Sequence, residues 1–385
     1  MVECMRTIRD ADVSGKRVIV RVDYNVPLTE KGEVADDRRI AESLPTINHL
    51  ISKGARVVLM SHLGRPKGPD PSQSLRPVAQ TLSKLLGHQV GFVGDVIGAE
   101  AEAAVSKLSN GEAVILENLR FNPGEEANDP AFATALARLG DLFVEDAFGS
   151  VHRAHASTVG VAGHLPAYAG FLVEKEAREL QRLVKSPEKP FVAILGGAKV
   201  KDKLPLLRSL CGRVDTLIVG GAMAIPLIHP SSIQDEKVRK SVTELETEAK
   251  KHGVSLVLPL DWVVKEINGD KVMDTPDIAI PDGYVALDIG RRSRELFRKH
   301  LSGAKTVFFN GPLGKAEDPA FAKGTFDVLS CLKGAHGVHI SAGGDTARVI
   351  SDLGLEGAFT YMSTGGGAAL EFIEGRELPG LSVIP

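Results

Sequence analysis

LPAYAGFLVEKEARELQRLVKSPEKP, residues 165–190, divides the chain. Within it, 174–185 is rich in charge, and Leu180, Leu183 and Val184 recur at the spacing of one helix face, until Pro187 and Pro190 end the pattern. On either side lie about five repeats of one theme, a short apolar run followed by a glycine-marked loop and a helix-like stretch. In the first half the runs are 18–22, 56–60, 113–116 and 142–144; in the second they are 192–195, 217–219, 255–258, 306–309, 338–340 and 359–362. Runs that are apolar almost throughout, alternating with helices, are the mark of parallel sheets covered on both faces. The expected fold is therefore α/β: two doubly wound domains with mainly parallel sheets, joined by a long helix, with ligands at the carboxyl ends of the strands facing a central cleft. The expected boundaries are 1–170, a connecting helix at 171–188, a second domain at 189–365 and a final segment at 366–385.

Composition agrees. A chain of 385 residues exceeds one ordinary domain, and 43% hydrophobic with 25% charged residues is a globular balance. A net charge of −3 leaves no footprint for nucleic acid. Cys4, Cys211 and Cys331 are too scattered for a disulfide framework or a zinc site, which points to a reducing, cytoplasmic setting. The opening MVECMRTIRDADVSG has acidic residues and no apolar core, so it does not read as a secretory signal, and no run suits a membrane span.

The residues after each first-half run are rich in anion-holding groups. Asp23 and Asn25 follow the first run, His62 and Arg65 the second, Asn118 and Arg120 the third, and His152, Arg153 and His155 the fourth. Arg38 and Arg39 open the first helix. Converged, these groups would hold a small ligand bearing several negative charges, because guanidinium forks match carboxylate and phosphate. Singly, each arginine reads more readily as a surface ion pair, and the case rests on several of them standing at equivalent strand ends. His152 and His155 have metal-ligand spacing but no third ligand in register, and Asp23-x-Asn25 lacks the glycine and glutamate of a calcium loop.

The second half has glycine-rich strand ends instead: LGGAKVKDK (195–203), VGGAM (219–223), FNGPLGKAED (309–318), SAGGDTA (341–347) and STGGGAALE (363–371). Such loops let backbone N–H groups approach phosphates, and helix starts after SAGGD and STGGG would add favourable dipole ends. Neither GxxxxGK[ST] nor a strand-linked GxGxxG occurs, so a P-loop enzyme and a dinucleotide dehydrogenase are both unsupported. Lys199 and Lys203, four apart, are expected on one face of a helix opening after Gly197. Asp345, at a helix start, reads either as a carboxylate for Mg²⁺ on nucleotide phosphates or as an N-cap.

Taken in order, RVDYNVP (21–27), SHLGRP (61–66), ENLRF (117–121), EDAFGSVHRAH (145–155), ILGGAKVKDK (194–203), NGPLG (310–314), GGDTA (343–347) and STGGGAALEFIEG (363–375) resemble the signatures of the phosphoglycerate kinase family. The resemblance implies reversible phosphoryl transfer between 1,3-bisphosphoglycerate with MgADP and 3-phosphoglycerate with MgATP, in glycolysis, after hinge closure. It implies a phosphoglycerate site of Asp23, Asn25, Arg39, His62, Arg65, Arg120 and Arg153 in the N-terminal domain. On the nucleotide side it implies Lys199, Lys203, Gly290, Asn310, Glu317, Gly343, Gly344, Asp345 and Thr346, with Asp345 as the Mg²⁺ ligand and Arg39, Lys199 and Gly344 acting in catalysis. A monomer is implied too, with 366–385 returning towards the N-terminal domain.

The chain departs from the family's usual residues at Ala222, Arg291, Lys315, Ala316 and Ala342, and in AIPLIHPSSIQDEK (224–237), which Pro226 and Pro230 interrupt. All lie on the nucleotide side. They motivate one alternative, a weakly active or non-catalytic phosphoglycerate-binding paralogue with an altered nucleotide site.

Overall fold

A computed structural model describes residues 5–385, leaving Cys4 outside. The chain divides into two compact units, one of residues up to Arg178 with Glu377–Pro385, the other Glu179–Arg376. The division falls within the helix Phe171–Val184, which ends four residues before the expected 188. Residues 366–376, expected in the returning segment, belong to the second unit. Their helix Gly366–Glu374 packs on the helix Leu204–Cys211, and the Arg213 guanidinium donates to the Ile373 carbonyl. Only the last residues return, held by Gly380 N–H to the Val151 carbonyl at 2.8 Å.

The first unit is built on β1 (Arg17–Val22), β2 (Arg56–Met60), β3 (Val90–Phe92), β4 (Ala113–Ile115), β5 (Leu142–Asp146) and β6 (Ala167–Ala169). They form a parallel sheet in the order β3-β4-β2-β1-β5-β6. Alternate residues enter different cores. Val18, Val20 and Val22 of β1 join Val57, Leu59, Leu142 and Val144 on one face. Ile19 joins Val58, Met60 and Phe143 on the other. Burial on both faces is why the runs are apolar throughout. The two strands missing from the sequence reading, β3 and β6, are three-residue edge strands, VGF and AYA, too short to show a period.

The second unit has β7 (Phe191–Leu195), β8 (Thr216–Val219) and β9 (Ser255–Val257), then β10 (Trp262–Glu266), β11 (Val272–Asp274) and β12 (Tyr284–Ile289), then β13 (Thr306–Asn310), β14 (Val338–Ala342) and β15 (Tyr361–Ser363). Six form a second parallel sheet, β15-β14-β13-β7-β8-β9. The other three form an antiparallel sheet, β11-β10-β12, which the sequence reading did not anticipate. These strands bury one face only, so they give no continuous apolar run; their signal was the Asn268-Gly269 turn between β10 and β11. Trp262, the chain's one tryptophan, is 1% exposed there and donates Nε1–H to the Ile278 carbonyl at 3.2 Å.

Candidate active site

In the first unit, the loops after β1, β2 and β4 are tied at one turn. Gly64, at φ +64°, donates its N–H to Asn25 Oδ1 at 2.9 Å, and its carbonyl accepts from Arg120 Nη1 at 2.6 Å. Asn118 caps the short turn that carries Arg120, while its amide donates to the Leu63 carbonyl at 2.8 Å. Arg39, in the first turn of the helix Arg38–Ser52, reaches across to Asp23 Oδ2 at 2.9 Å and the Asn25 carbonyl at 3.3 Å. Its neighbour Arg38 instead forks onto Asp36. Arg153, in the turn after β5, donates to His152 Nε2 at 3.3 Å.

His62 lies 7% exposed among these groups. Burial, and then the guanidinium groups of Arg21, Arg120, Arg153 and Arg39, hold its pKa well below the ordinary histidine range, so it is neutral at pH 7. Of the four arginines bearing on this imidazole, Arg39, Arg120 and Arg153 are among those expected from the loops, and Arg21 is not. Their local counter-charges are Asp23 on Arg39, Glu126 at 3.0 Å from Arg120 Nε, and buried Glu125, reached from Arg21 through Ser157. Arg65 is exposed and has no side-chain partner among the described residues.

Arg21 is the residue that sequence reasoning missed. It is 1% exposed on β1, and its Nη2 lies 2.9 Å from His62 Nδ1. The signal was present in RVIVRV, where one arginine interrupts the apolar run two places after Ile19 and therefore on the Ile19 face. His155 faces Glu125 at 3.6 Å, and no group of three or more His, Cys, Asp or Glu that could hold a metal occurs among the described residues.

In the second unit a continuous network joins the ends of β7, β13 and β14. Lys203 Nζ donates to both oxygens of Asn310, the last residue of β13, with the backbone one at 3.2 Å. Asn310 Nδ2 donates to the Ala342 carbonyl at 2.6 Å, so the alanine at this unusual position contributes through its backbone. Gly311 N–H donates to Thr346 Oγ1 at 3.0 Å, and Gly343, at φ +104°, starts the helix Gly344–Asp352 beside them. Burial pushes the Lys203 pKa down to about 8.

The lysine pair differs from expectation. Lys199 and Lys203 do not share a helix face. Lys199 is exposed in the loop, Lys203 ends a 3₁₀ turn, and the α-helix starts only at Leu204, because Pro205 suits the first turn of a helix and no later position. Asp345 is not an N-cap: Gly343 occupies that place, and Asp345 is exposed as the second helical residue. Gly290 precedes the helix Arg291–Leu301, but that helix start is already satisfied, since the Asp261 carboxylate accepts from Arg292 N at 2.9 Å and Ser293 N at 2.8 Å. A Cβ on Gly290 would lie 2.3 Å from that carboxylate, so the packing here requires glycine. Glu317 is exposed in the loop after β13 and makes no side-chain contact with the network among the described residues. Gly344 is exposed as the first residue of its helix, whose opening N–H groups have no side-chain cap.

A family model described as phosphoglycerate kinase matches residues 8–376. The chain is 48% identical to the phosphoglycerate kinase of Rubrobacter xylanophilus, over 99% of this chain and 98% of that protein. It is 49% identical to that of Thermus thermophilus, over 99% and 100%. Its fold matches the phosphoglycerate kinase structure from Coxiella burnetii with a TM-score of 0.89 at 35% identity, covering 99% and 98% of the two chains. The corresponding structure from Pyrococcus horikoshii gives 0.86 at 31% identity, with the same coverage. Nothing in these relatives favours a non-catalytic reading. The chain belongs to the phosphoglycerate kinase family.

Proposed function

We propose that the first unit binds the phosphoglycerate and the second the nucleotide, and that the chain transfers a phosphoryl group directly between 1,3-bisphosphoglycerate and ADP, reversibly. The observation that carries this reading is the ring of Arg21, Arg39, Arg120 and Arg153 around a neutral His62, an excess of fixed positive charge suited to a ligand with both carboxyl and phosphate groups. Asp23 and Asn25 orient Arg39, while Arg65, exposed and unpaired among the described residues, is available to the ligand.

In the ATP-forming direction the bond between the acyl oxygen and phosphorus breaks, a terminal oxygen of ADP bonds to phosphorus, and the electron pair leaves with the carboxylate. No general base is needed. Catalysis is then positioning and charge stabilisation. Arg39 is assigned to the transferring group from the phosphoglycerate side, Lys199 and the N–H groups at Gly344 from the nucleotide side. Lys203, Asn310, Gly343 and Thr346 shape the phosphate-binding loops, with Gly290 and Glu317 left to the outer parts of the nucleotide. Mg²⁺, when bound on the nucleotide, would offset charge on its phosphates. Asp345 is the residue to hold it, since one exposed carboxylate beside phosphate oxygens and water suits this ion.

With donor and acceptor on different units, transfer needs a conformation in which they meet in line and water is excluded, so hinge bending belongs to the proposed cycle. The family's glycolytic role supports a cytoplasmic, monomeric enzyme. The test is a coupled assay of ATP-dependent phosphorylation of 3-phosphoglycerate with Mg²⁺; purified protein without turnover would refute the reading.

A further inference from the structure

We propose that Arg21 is a positioning residue for the phosphoglycerate site: by donating Nη2–H to Nδ1 of His62 it locks the imidazole as the neutral Nε2–H tautomer and so makes His62 an obligate hydrogen-bond donor to substrate. The proposal rests on the reading that His62 touches the phosphoglycerate. Its geometry is independent of that reading.

A guanidinium has donors and no acceptor. At 2.9 Å from Arg21 Nη2, His62 Nδ1 must therefore present its lone pair, and a neutral imidazole with its lone pair at Nδ1 carries its proton on Nε2. Protonating Nδ1 would bring two donors face to face. The lock is firm because Arg21 is held at every end. Its Nε donates to Ser157 Oγ at 2.9 Å, its Nη1 to the Val22 carbonyl, and its Nη2 also lies 3.2 Å from Ser150 Oγ.

Buried charge needs a counter-charge, and Arg21 has one at a single remove. Ser157 accepts from Arg21 and donates its own Oγ–H to Glu125 Oε1 at 2.7 Å, while Ser157 N donates to Glu125 Oε2 at 3.0 Å. Glu125 is fully buried, and Arg21 is among the groups that keep its pKa low against that burial. Glu145, opposite Arg21 on β5, is no competitor; burial pushes its pKa well up, and its Oε1 accepts from Ala147 N at 2.9 Å. Arg21, Arg120, Arg153 and Arg39 all bear on His62 with positive charge, Asp23 is paired to Arg39, and Glu125 stands behind Arg21.

The chemical consequence is polarity at a fixed point. Carboxylate and phosphate oxygens only accept. The Nε2–H tautomer offers them a donor, whereas the Nδ1–H tautomer would offer a lone pair and repel them. Charge for the ligand comes from the arginines; His62 adds a directional donor that does not switch off as pH rises through neutrality.

The test begins with ¹⁵N NMR of the histidine rings in the full-length protein. Wild type should show His62 as the Nε2–H tautomer with no titration between pH 5.5 and 8. In Arg21→Met the ring should titrate nearer the ordinary pKa of about 6.5. If Arg21 serves only to hold its loop, that variant loses stability while the His62 signals stay as in wild type, which overturns the proposal. A wild-type ring that is Nδ1–H or cationic at pH 7 also overturns it, whether or not the variant folds. Affinity for 3-phosphoglycerate is the second readout. His62→Gln supplies an acceptor and an N–H donor in similar places and should keep affinity within about threefold, whereas His62→Leu should lose about tenfold or more. Equal affinity of His62→Leu and wild type would overturn the donor role, whereas the kinase reading is tested separately by wild-type turnover in the coupled assay.

Discussion

Replacing Gly196 by alanine places a methyl group against backbone rather than against a side chain that could turn aside. Its Cβ would stand 2.0 Å from the Pro312 carbonyl oxygen and 2.5 Å from that of Gly311. A Cβ atom essentially never comes within 3.0 Å of another heavy atom, so the loops after β7 and β13 must part by about 1 Å. That movement strains the bond from Gly196 N–H to the Asn310 carbonyl, now 3.0 Å, and carries Asn310 away from Lys203 Nζ and the Ala342 carbonyl. Overpacking of this kind costs about 1–3 kcal/mol of stability. A displacement of about 1 Å at a catalytic loop costs up to about 10²-fold in turnover. Calorimetry with MgADP and, separately, with 3-phosphoglycerate should therefore show a tenfold or greater loss for the nucleotide and none for the phosphoglycerate, because the altered loops lie wholly within the second unit. Unchanged MgADP affinity, or equal loss of both ligands, would refute the chain of reasoning from loop packing to nucleotide site.

Three further outcomes follow from the same geometry. Asp146 is fully buried, and burial pushes its pKa up to about 7 while Oδ1 accepts from Leu172 N at 2.9 Å. Its contribution to stability is complete below the unfolded value of 3.8 and is lost as pH rises to 7, so the advantage of Asp146→Asn over wild type in urea unfolding should grow by about 4 kcal/mol between pH 4 and pH 8; a pH-independent difference would contradict this. Lys203, at about 8, should take up part of a proton when MgADP binds at pH 8, visible as a binding heat that varies with buffer ionisation enthalpy and is buffer-independent in Lys203→Arg. Asp345→Asn should shift the Mg²⁺ requirement of ADP binding to higher concentration without weakening 3-phosphoglycerate; an unmoved Mg²⁺ midpoint would leave Asp345 as a carboxylate that merely favours its helix dipole.

How much was legible depended on whether a residue's role was written in its neighbours. Doubly buried strands such as 56–60 were plain, because neither face tolerates polarity. The antiparallel sheet is hidden, because half-buried Val263 and exposed Val285 break the apolar run that marks a doubly buried strand. Arg39, His62, Arg120 and Arg153 follow strands or open a helix, where position alone suggests a ligand. Arg21 sits inside a strand, where an isolated charge looks like noise until its partners, distant in sequence at His62, Ser150 and Ser157, are brought to it. The pairing of Lys199 with Lys203 failed on Pro205, which sets the helix start one residue after the second lysine.

Trp262 gives the molecule a built-in optical asymmetry. As the chain's one indole, buried in the antiparallel sheet of the second unit, it makes tryptophan emission report on that unit alone. The helices and strands of both units contribute to far-ultraviolet circular dichroism. A denaturant titration followed by both signals therefore separates the two units without any label: coincident curves mean the units unfold together, and an offset between them measures the stability difference.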